Sequence, residues 1–313
     1  MSTRHKFRFG VQAGGAHGAA EWSELARKIE DLGYSTLFVP DHFIDTELAP
    51  MVAISFAAAA TSQLRVGMLV LGNDYKHPAV TAKEAATIDL LSDGRLEFGL
   101  GAGWMRTDYD ALGLTYDSAG VRIDRLAEAL AVVKGAWGDG PFDYHGEHYT
   151  IRAYNGIPKP VQQPHPPILV GGGGPRLLRL AGREADIVGI NPNLRAGAIT
   201  SDALQSALAE RTREKISWVR EGAGERFDDI ELQIRYYFSV ITDDARGLAE
   251  SVAPGFGVSP DEALASGTAL VGTVDEVCDT LIARRDEWGV SYIVVGDDNF
   301  ESFGPVVARL AGT

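Results

Sequence analysis

Four short stretches of the chain hold residue types that could do chemistry, and each follows a short apolar run. Pro40-Asp41-His42-Phe43 offers a histidine, which exchanges protons near neutral pH, beside a carboxylate able to orient it or to bond a ring system. Gly72-Asn73-Asp74-Tyr75 offers a glycine that permits a tight turn and close approach of backbone to a flat ligand. Gly99-Leu100-Gly101-Ala102-Gly103-Trp104 bares the backbone at alternate positions, where a planar ligand could lie against it. Gly171-Gly172-Gly173-Gly174-Pro175-Arg176 ends in a proline suited to the first turn of a helix. Exposed amides there, with the Arg176 charge, suit a phosphate. Each stretch also has a plainer reading: a structural histidine, an Asn-Asp turn, tight packing where strand meets loop, a simple glycine loop. Taken one at a time, the plainer reading is the commoner one for the first two, and the phosphate site is the better one for the fourth.

Other chemistries find no support. There is no Gly-Lys-Ser/Thr phosphate loop, no Gly-x-Ser-x-Gly elbow and no His-Glu-x-x-His pair. Trp104 stands where a dinucleotide fingerprint needs its third glycine. Asp297-Asp298-Asn299 lacks the remaining ligands of a calcium loop and reads as a solvated helix cap, so no metal is expected. A cofactor-free lyase would want a lysine at a strand end, but the lysines fall in loops, helices or the N-terminal segment. The single cysteine, Cys278, shares a helical face with Val274, Val277 and Leu281 and reads as a core thiol. A net charge of −14 argues against nucleic acid as a partner. The start of the chain lacks the apolar stretch of a signal peptide, and the tract Met51 to Ala60 is too short to span a bilayer, so a cytoplasmic protein is expected.

The elements that must position these residues alternate. Apolar runs at Phe7 to Val11, Thr36 to Val39, Leu64 to Leu71, Leu96 to Leu100, Ile168 to Val170, Ile187 to Ile190, Tyr236 to Ile241 and Tyr292 to Val295 predict eight strands. Segments of helical periodicity, such as Trp22 to Leu32 and Ile123 to Trp137, separate them. Continuous apolar strands suit a parallel sheet buried on both faces, and eight of them suit closure into a (β/α)₈ TIM barrel over residues 1–313. Insertions are expected at about 104–120, 138–167, 191–229 (with a polar helix, Asp202 to Arg220) and 253–267. Long connections that follow barrel strands are read as pocket walls and lids.

Asp41-His42, Lys76-His77-Pro78, Lys83-Glu84-Ala85-Ala86-Thr87, Leu91-Ser92-Asp93-Gly94-Arg95-Leu96 with its glycine series, and Pro158-Lys159-Pro160-Val161-Gln162 together resemble the luciferase-like monooxygenase family. The likeness is to its branch of oxidoreductases using the deazaflavin coenzyme F420, and it runs over essentially the whole chain. The resemblance implies hydride transfer between that coenzyme and a small alcohol, aldehyde or unsaturated carbonyl compound, with His42 moving the accompanying proton. It implies a non-proline cis peptide at Gly72-Asn73 propping the coenzyme ring. Asp41, Tyr75, Ala102, Gly103 and Thr107 would contact the coenzyme, and Gly171 to Gly174 with Arg176 would hold its phosphate. Phe9, Phe43 and Trp104 would line the substrate pocket. Trp104 stands where the sugar-phosphate dehydrogenases of this branch place an acidic residue, which argues against glucose 6-phosphate. A reduced-FMN monooxygenase and a flavin-binding protein without turnover are the alternatives. The helix holding Ala57 to Ala60 resembles the dimer seam of this family, implying a homodimer.

Overall fold

The computed structural model describes residues 5–198 and 200–313. Eight parallel strands, β1 (Arg8–Gln12), β2 (Thr36–Val39), β3 (Arg65–Met68), β4 (Leu96–Gly101), β5 (Ile168–Gly172), β6 (Ile187–Ile190), β7 (Glu231–Arg235) and β8 (Val290–Gly296), run in the order β3-β2-β1-β8-β7-β6-β5-β4. Pairing of Val66 with Leu96 joins β3 to β4 and closes the barrel. Helices α1 (Ala19–Asp31), α2 (Pro50–Ala60) and α3 (Pro78–Leu91) return the chain between the first four strands.

After β4 come α4 (Arg106–Leu112) and α5 (Ala119–Trp137), and after β5 comes α6 (Pro175–Glu184). The β6 to β7 connection holds α7 (Ser201–Gln205) and α8 (Ala209–Ala223), so the expected single polar helix is two. The β7 to β8 connection holds α9 (Ala245–Phe256), α10 (Pro260–Ala265) and α11 (Val274–Trp288), and α12 (Phe300–Leu310) closes the chain. The insertion expected at 253–267 is mostly helical: it holds the end of α9 and all of α10, which Ser259 and Glu262 cap reciprocally. The 138–167 arm is an antiparallel hairpin, Phe142–His145 with Thr150–Tyr154. Glu128 of α5 pins it by accepting the amides of Glu147, His148 and Tyr149 at 2.8–3.0 Å.

Outward residues of the strands pack on the helices. Phe9 is one of them: it is buried beside Phe7 and Phe303 of α12, not in the pocket where the sequence reading put it. Burying a side chain of that size contributes about 1.5–3 kcal/mol. Inward residues at the N-terminal end of the barrel form a polar layer. Glu97 accepts from Arg8, from Arg65 at 2.8 Å and from the Tyr292 hydroxyl at 2.9 Å, while Arg8 also pairs with Glu231 at 2.8 Å. Above it Phe38, Leu169, Ile187, Tyr292 and Val294 fill the interior.

That polar layer explains one wrong strand. The run Tyr236 to Ile241 is more apolar than Glu231–Arg235, yet the latter is β7, because its Glu231 and Gln233 point into the barrel, where Arg8 pairs with Glu231. Phe238–Ile241 instead pairs with Ala269–Gly272 in a separate two-stranded sheet.

The third strand also departs from expectation. It stops at Met68; a short piece, Leu71–Gly72, then pairs with Leu100 and Gly101. The non-proline cis peptide lies between, at Leu69-Val70, and not at Gly72-Asn73. Its surroundings say why this point is the bulge: the Leu69 amide donates to the Val39 carbonyl at 3.1 Å, and Gln12 Nε2 donates to the Leu69 carbonyl at 2.8 Å. A Cβ on Gly99 would stand 1.8 Å from the Met68 oxygen, and one on Gly101 would stand 2.7 Å from Val70. Two glycines of the series are there so that β4 can lean on the bulge.

Candidate active site

The C-terminal ends of the strands bring together most of the residues singled out in the sequence. His42, at the end of β2, directs Nδ1 at the Asp108 carboxylate 2.8 Å away, and the other oxygen of Asp108 accepts the Phe43 amide at 3.0 Å. Asp108 is fully buried in the first turn of α4, 66 residues from His42 in the chain. A carboxylate accepts hydrogen bonds, so Nδ1 carries a proton and Nε2 is the nitrogen left to act. Nε2 makes no hydrogen bond among the described residues. Trp104 stands edge-on to the imidazole, with ring centroids 5.5 Å apart. An acidic partner, absent at position 104, therefore reaches the histidine from Asp108 by one turn of helix.

Asp41 accepts the Gly72 amide at 2.9 Å, tying β2 to the exit of the bulge. Burial raises this carboxyl above its ordinary value, and the Gly72 amide works against the rise. The Tyr75 ring lies across Gly72, where a Cβ would meet it at 2.3 Å, and packs against Phe43 and Tyr109. Burial, with the Asp108, Asp41 and Asp74 carboxylates around it, pushes the Tyr75 phenol up. Asn73 is buried and its amide donates to Tyr149 of the hairpin at 3.2 Å, so the 138–167 arm touches the site through this tyrosine.

Asp74 is held by Tyr109 at 3.0 Å and Arg125 at 2.9 Å. Gly103 has φ +72°, and a Cβ there would stand 2.0 Å from the Tyr109 hydroxyl, so only glycine suits the position. Ala102 is buried beside it, while Thr107 on α4 is exposed. The 191–198 stretch closes over this wall: the Arg106 amide donates to the Gly197 carbonyl at 3.0 Å, and Tyr116 donates to the Trp104 carbonyl at 2.8 Å.

The glycine run after β5 is mostly packing. A Cβ on Gly172 would meet Leu177, and one on Gly173 the Pro192 carbonyl at 2.2 Å, but Gly174 faces open space. Pro175 starts α6, whose N-cap carries no side-chain hydrogen bond, so the first amides of α6 are available to an anion. Arg176 is exposed and ion-paired with Asp124 of α5, and serves an anion at this helix end only by leaving that partner.

Sequence reasoning missed Asp108, Tyr109, Tyr149 and three residues from the far side of the barrel: Gln12, Gln233 and Arg235. Asp108 and Tyr109 fall in the insertion expected at 104–120 and Tyr149 in that at 138–167, Gln12 follows the first apolar run, and Gln233 and Arg235 lie in a stretch whose polar residues hide the strand. Lys215 is buried, and burial pulls its ammonium down to about 8, but it lies on α8 and donates to the Ser206 carbonyl at 2.5 Å. Among the described residues no cluster suits a metal ion, and no helix is long and apolar enough to cross a membrane.

Comparison with known proteins gives a consistent picture. The family profile described as luciferase-like monooxygenase matches residues 1–258. An FMNH2-dependent dimethylsulfone monooxygenase of Pseudomonas putida is 35% identical over 143 residues, 45% of this chain and 39% of that protein. An F420-dependent glucose-6-phosphate dehydrogenase of Nakamurella multipartita is 28% identical over 252 residues, 78% of this chain and 71% of that protein. Among solved structures, the coenzyme F420 dependent tetrahydromethanopterin reductase of Methanopyrus kandleri superimposes with a TM-score of 0.78 at 20% identity, covering 98% of this chain and 99% of that one.

Proposed function

Because the chain belongs to the luciferase-like monooxygenase family, whose members are oxidoreductases, we propose that it uses the deazaflavin coenzyme F420 to move a hydride to or from a small alcohol, aldehyde or unsaturated carbonyl compound. The observation that carries the reading is the His42–Asp108 pair set beside the Leu69-Val70 bulge. Support for the deazaflavin comes from the long match to the glucose-6-phosphate dehydrogenase, against the shorter one to the monooxygenase.

The site fits such a coenzyme. Leu69 and Val70 are partly exposed at the mouth and offer an apolar surface to one face of a ring; the open side of Gly174 and the uncapped amides of α6 offer a phosphate cradle. When bound, the deazaflavin supplies a two-electron hydride acceptor or donor. In the oxidative direction His42 Nε2 takes the hydroxyl proton of the alcohol as the carbinol hydride departs, and Asp108 holds the ring in the needed tautomer and supports its charge. In the reductive direction the same nitrogen returns the proton. Phe43, Trp104 and Tyr75 exclude water around it.

Side-by-side titration of the purified protein with coenzyme F420 and FMN, in wild type and His42→Ala, tests this. The expected result is tight F420 binding in both proteins and a loss of hydride transfer of about 10²-fold or more in the variant. Preference for reduced FMN with oxygen consumption would replace this reading with the monooxygenase one, which the 35% match favours. Unchanged transfer in the variant would overturn the role of His42, and binding without any turnover would point to a flavin-binding protein.

We also propose a homodimer. Ala57 and Ala58 face the barrel and are buried, so the seam is the opposite face of α2, where Val52 is 71% and Phe56 49% exposed beside Ser55 and Ala59. A helix that is apolar all round and still open on one side wants a second covering surface. Phe56→Glu is expected to halve the mass seen by sedimentation.

A further inference from the structure

The half of the barrel mouth opposite His42 holds a cation, Arg235, that forms no ion pair among the described residues. Arg235 is the last residue of β7 and follows Glu231 and Gln233 on the inward face of that strand. Its Nε donates to Gln12 Oε1 at 3.0 Å, and Nη1 donates to the carbonyl of Tyr236. Its Nη2 has no hydrogen-bond partner among the described residues. Gly296, at the end of β8, faces both groups: a Cβ there would stand 2.9 Å from Nη2 and 2.5 Å from Asp298 Oδ1. Asp297 and Asp298 act on the guanidinium from the rim, but neither forms an ion pair with it. Burial lowers the Arg235 pKa, the mark of a charge removed from water without full compensation.

The neighbours of Arg235 tie it to the barrel mouth. Gln12 holds Arg235 through one amide atom and the Leu69 carbonyl of the bulge through the other, so the cation is tied to the bulge across the mouth. Two residues below, Gln233 is 1% exposed and its Nε2 lacks any partner. A buried donor without a partner is uncommon in folded proteins, and one set directly below a half-buried guanidinium on the same strand face calls for an acceptor brought from outside. On the rim, the exposed ring of Tyr237 lies 5.1 Å from the guanidinium and gives it a flat apolar neighbour.

We propose that Arg235 anchors the substrate by a carboxylate, so that the enzyme acts on a small hydroxy, oxo or unsaturated acid whose reacting carbon lies toward His42. This rests on the deazaflavin reading for the reaction and on the geometry of Arg235 for the anchor. The guanidinium fork suits a planar carboxylate better than a lysine would, and Gln12 is the positioning residue that aims it. Such an anchor also answers the chain's charge of −14, because a local, half-buried cation acts where long-range repulsion is screened.

The test compares crotonate with its neutral isostere crotonamide, by calorimetric titration of the full-length protein with and without coenzyme F420. Crotonate is expected to bind at least about tenfold more tightly than crotonamide to wild type, with the preference lost in Arg235→Gln, a fall of about 10- to 100-fold, and partly kept in Arg235→Lys. Coenzyme affinity is expected to be equal in all three. Equal binding of crotonate and crotonamide by wild type, a result that needs no variant to fold, would overturn the assignment, as would full crotonate affinity in a folded Arg235→Gln protein. Failure to bind any coenzyme would strike the deazaflavin reading separately, since the anion titration without coenzyme stands by itself.

Discussion

The two ends of the barrel use the same kinds of residue to opposite purposes. At the N-terminal end Arg8, Arg65, Glu97, Glu231, Thr36 and Tyr292 satisfy one another. Gln162 seals this end by donating to Asp89 and the Leu96 carbonyl and accepting from Arg65. At the C-terminal end, among the described residues, His42 keeps one ring nitrogen spare, Arg235 keeps a guanidinium nitrogen spare, and Gln233 keeps an amide unmet. Closed networks hold a barrel together, whereas unmet donors and acceptors at its mouth are what a ligand can complete.

Glu97→Ala should give the largest effect, because it takes from Arg65 its carboxylate and leaves Arg8 with Glu231 alone. Stability is expected to fall by about 3–5 kcal/mol, read as the shift in urea unfolding, with coenzyme affinity unchanged in the folded fraction. If the coenzyme were lost instead, the division between the two ends would break. Asp108→Asn sharpens the comparison from the other end. The amide places a donor opposite Nδ1 and inverts the tautomer, so hydride transfer is expected to fall by about 10- to 100-fold with a changed pH profile, while coenzyme binding persists.

The smallest effect is a pH dependence. Burial pushes the Glu231 carboxyl up to about 7, above the 4.5 ordinary for glutamate. The folded chain thus binds this proton more tightly than the unfolded chain. The resulting stability is full below about 4.5 and is lost as pH rises through about 7. Glu97 has the opposite sign: burial works against its charge, but Arg8 and Arg65 with the Tyr292 hydroxyl hold its carboxyl low, so its contribution is lost on acidification. Glu231→Gln is expected to flatten the decline in stability between pH 5 and pH 8. A slope identical to wild type would show that this carboxyl does not titrate in that window.

Within this frame the motifs that carried the family resemblance divide. Asp41-His42 lies at the mouth. Pro158 to Gln162 and Leu91 to Leu96 lie at the closed end, where Arg95 binds the carbonyls of Ala58 and Leu64 at 2.8 and 2.9 Å. They identify the fold more than the chemistry.

By itself the sequence determined the alternation of apolar strands with helices, hence the parallel barrel, and it marked His42 and the glycine stretches, because period and residue type are local properties. It could not locate β7, whose polar inward face breaks the apolar pattern, nor place the bulge at Leu69-Val70, which depends on Gln12 and Val39 from neighbouring strands. Only the closed barrel decided that Asp108, 66 residues away, serves His42, and that Gln12 ties Arg235, 223 residues away, to the bulge. Closure around a cylinder brings strand ends together regardless of their separation along the chain, and no local pattern records which of them will meet.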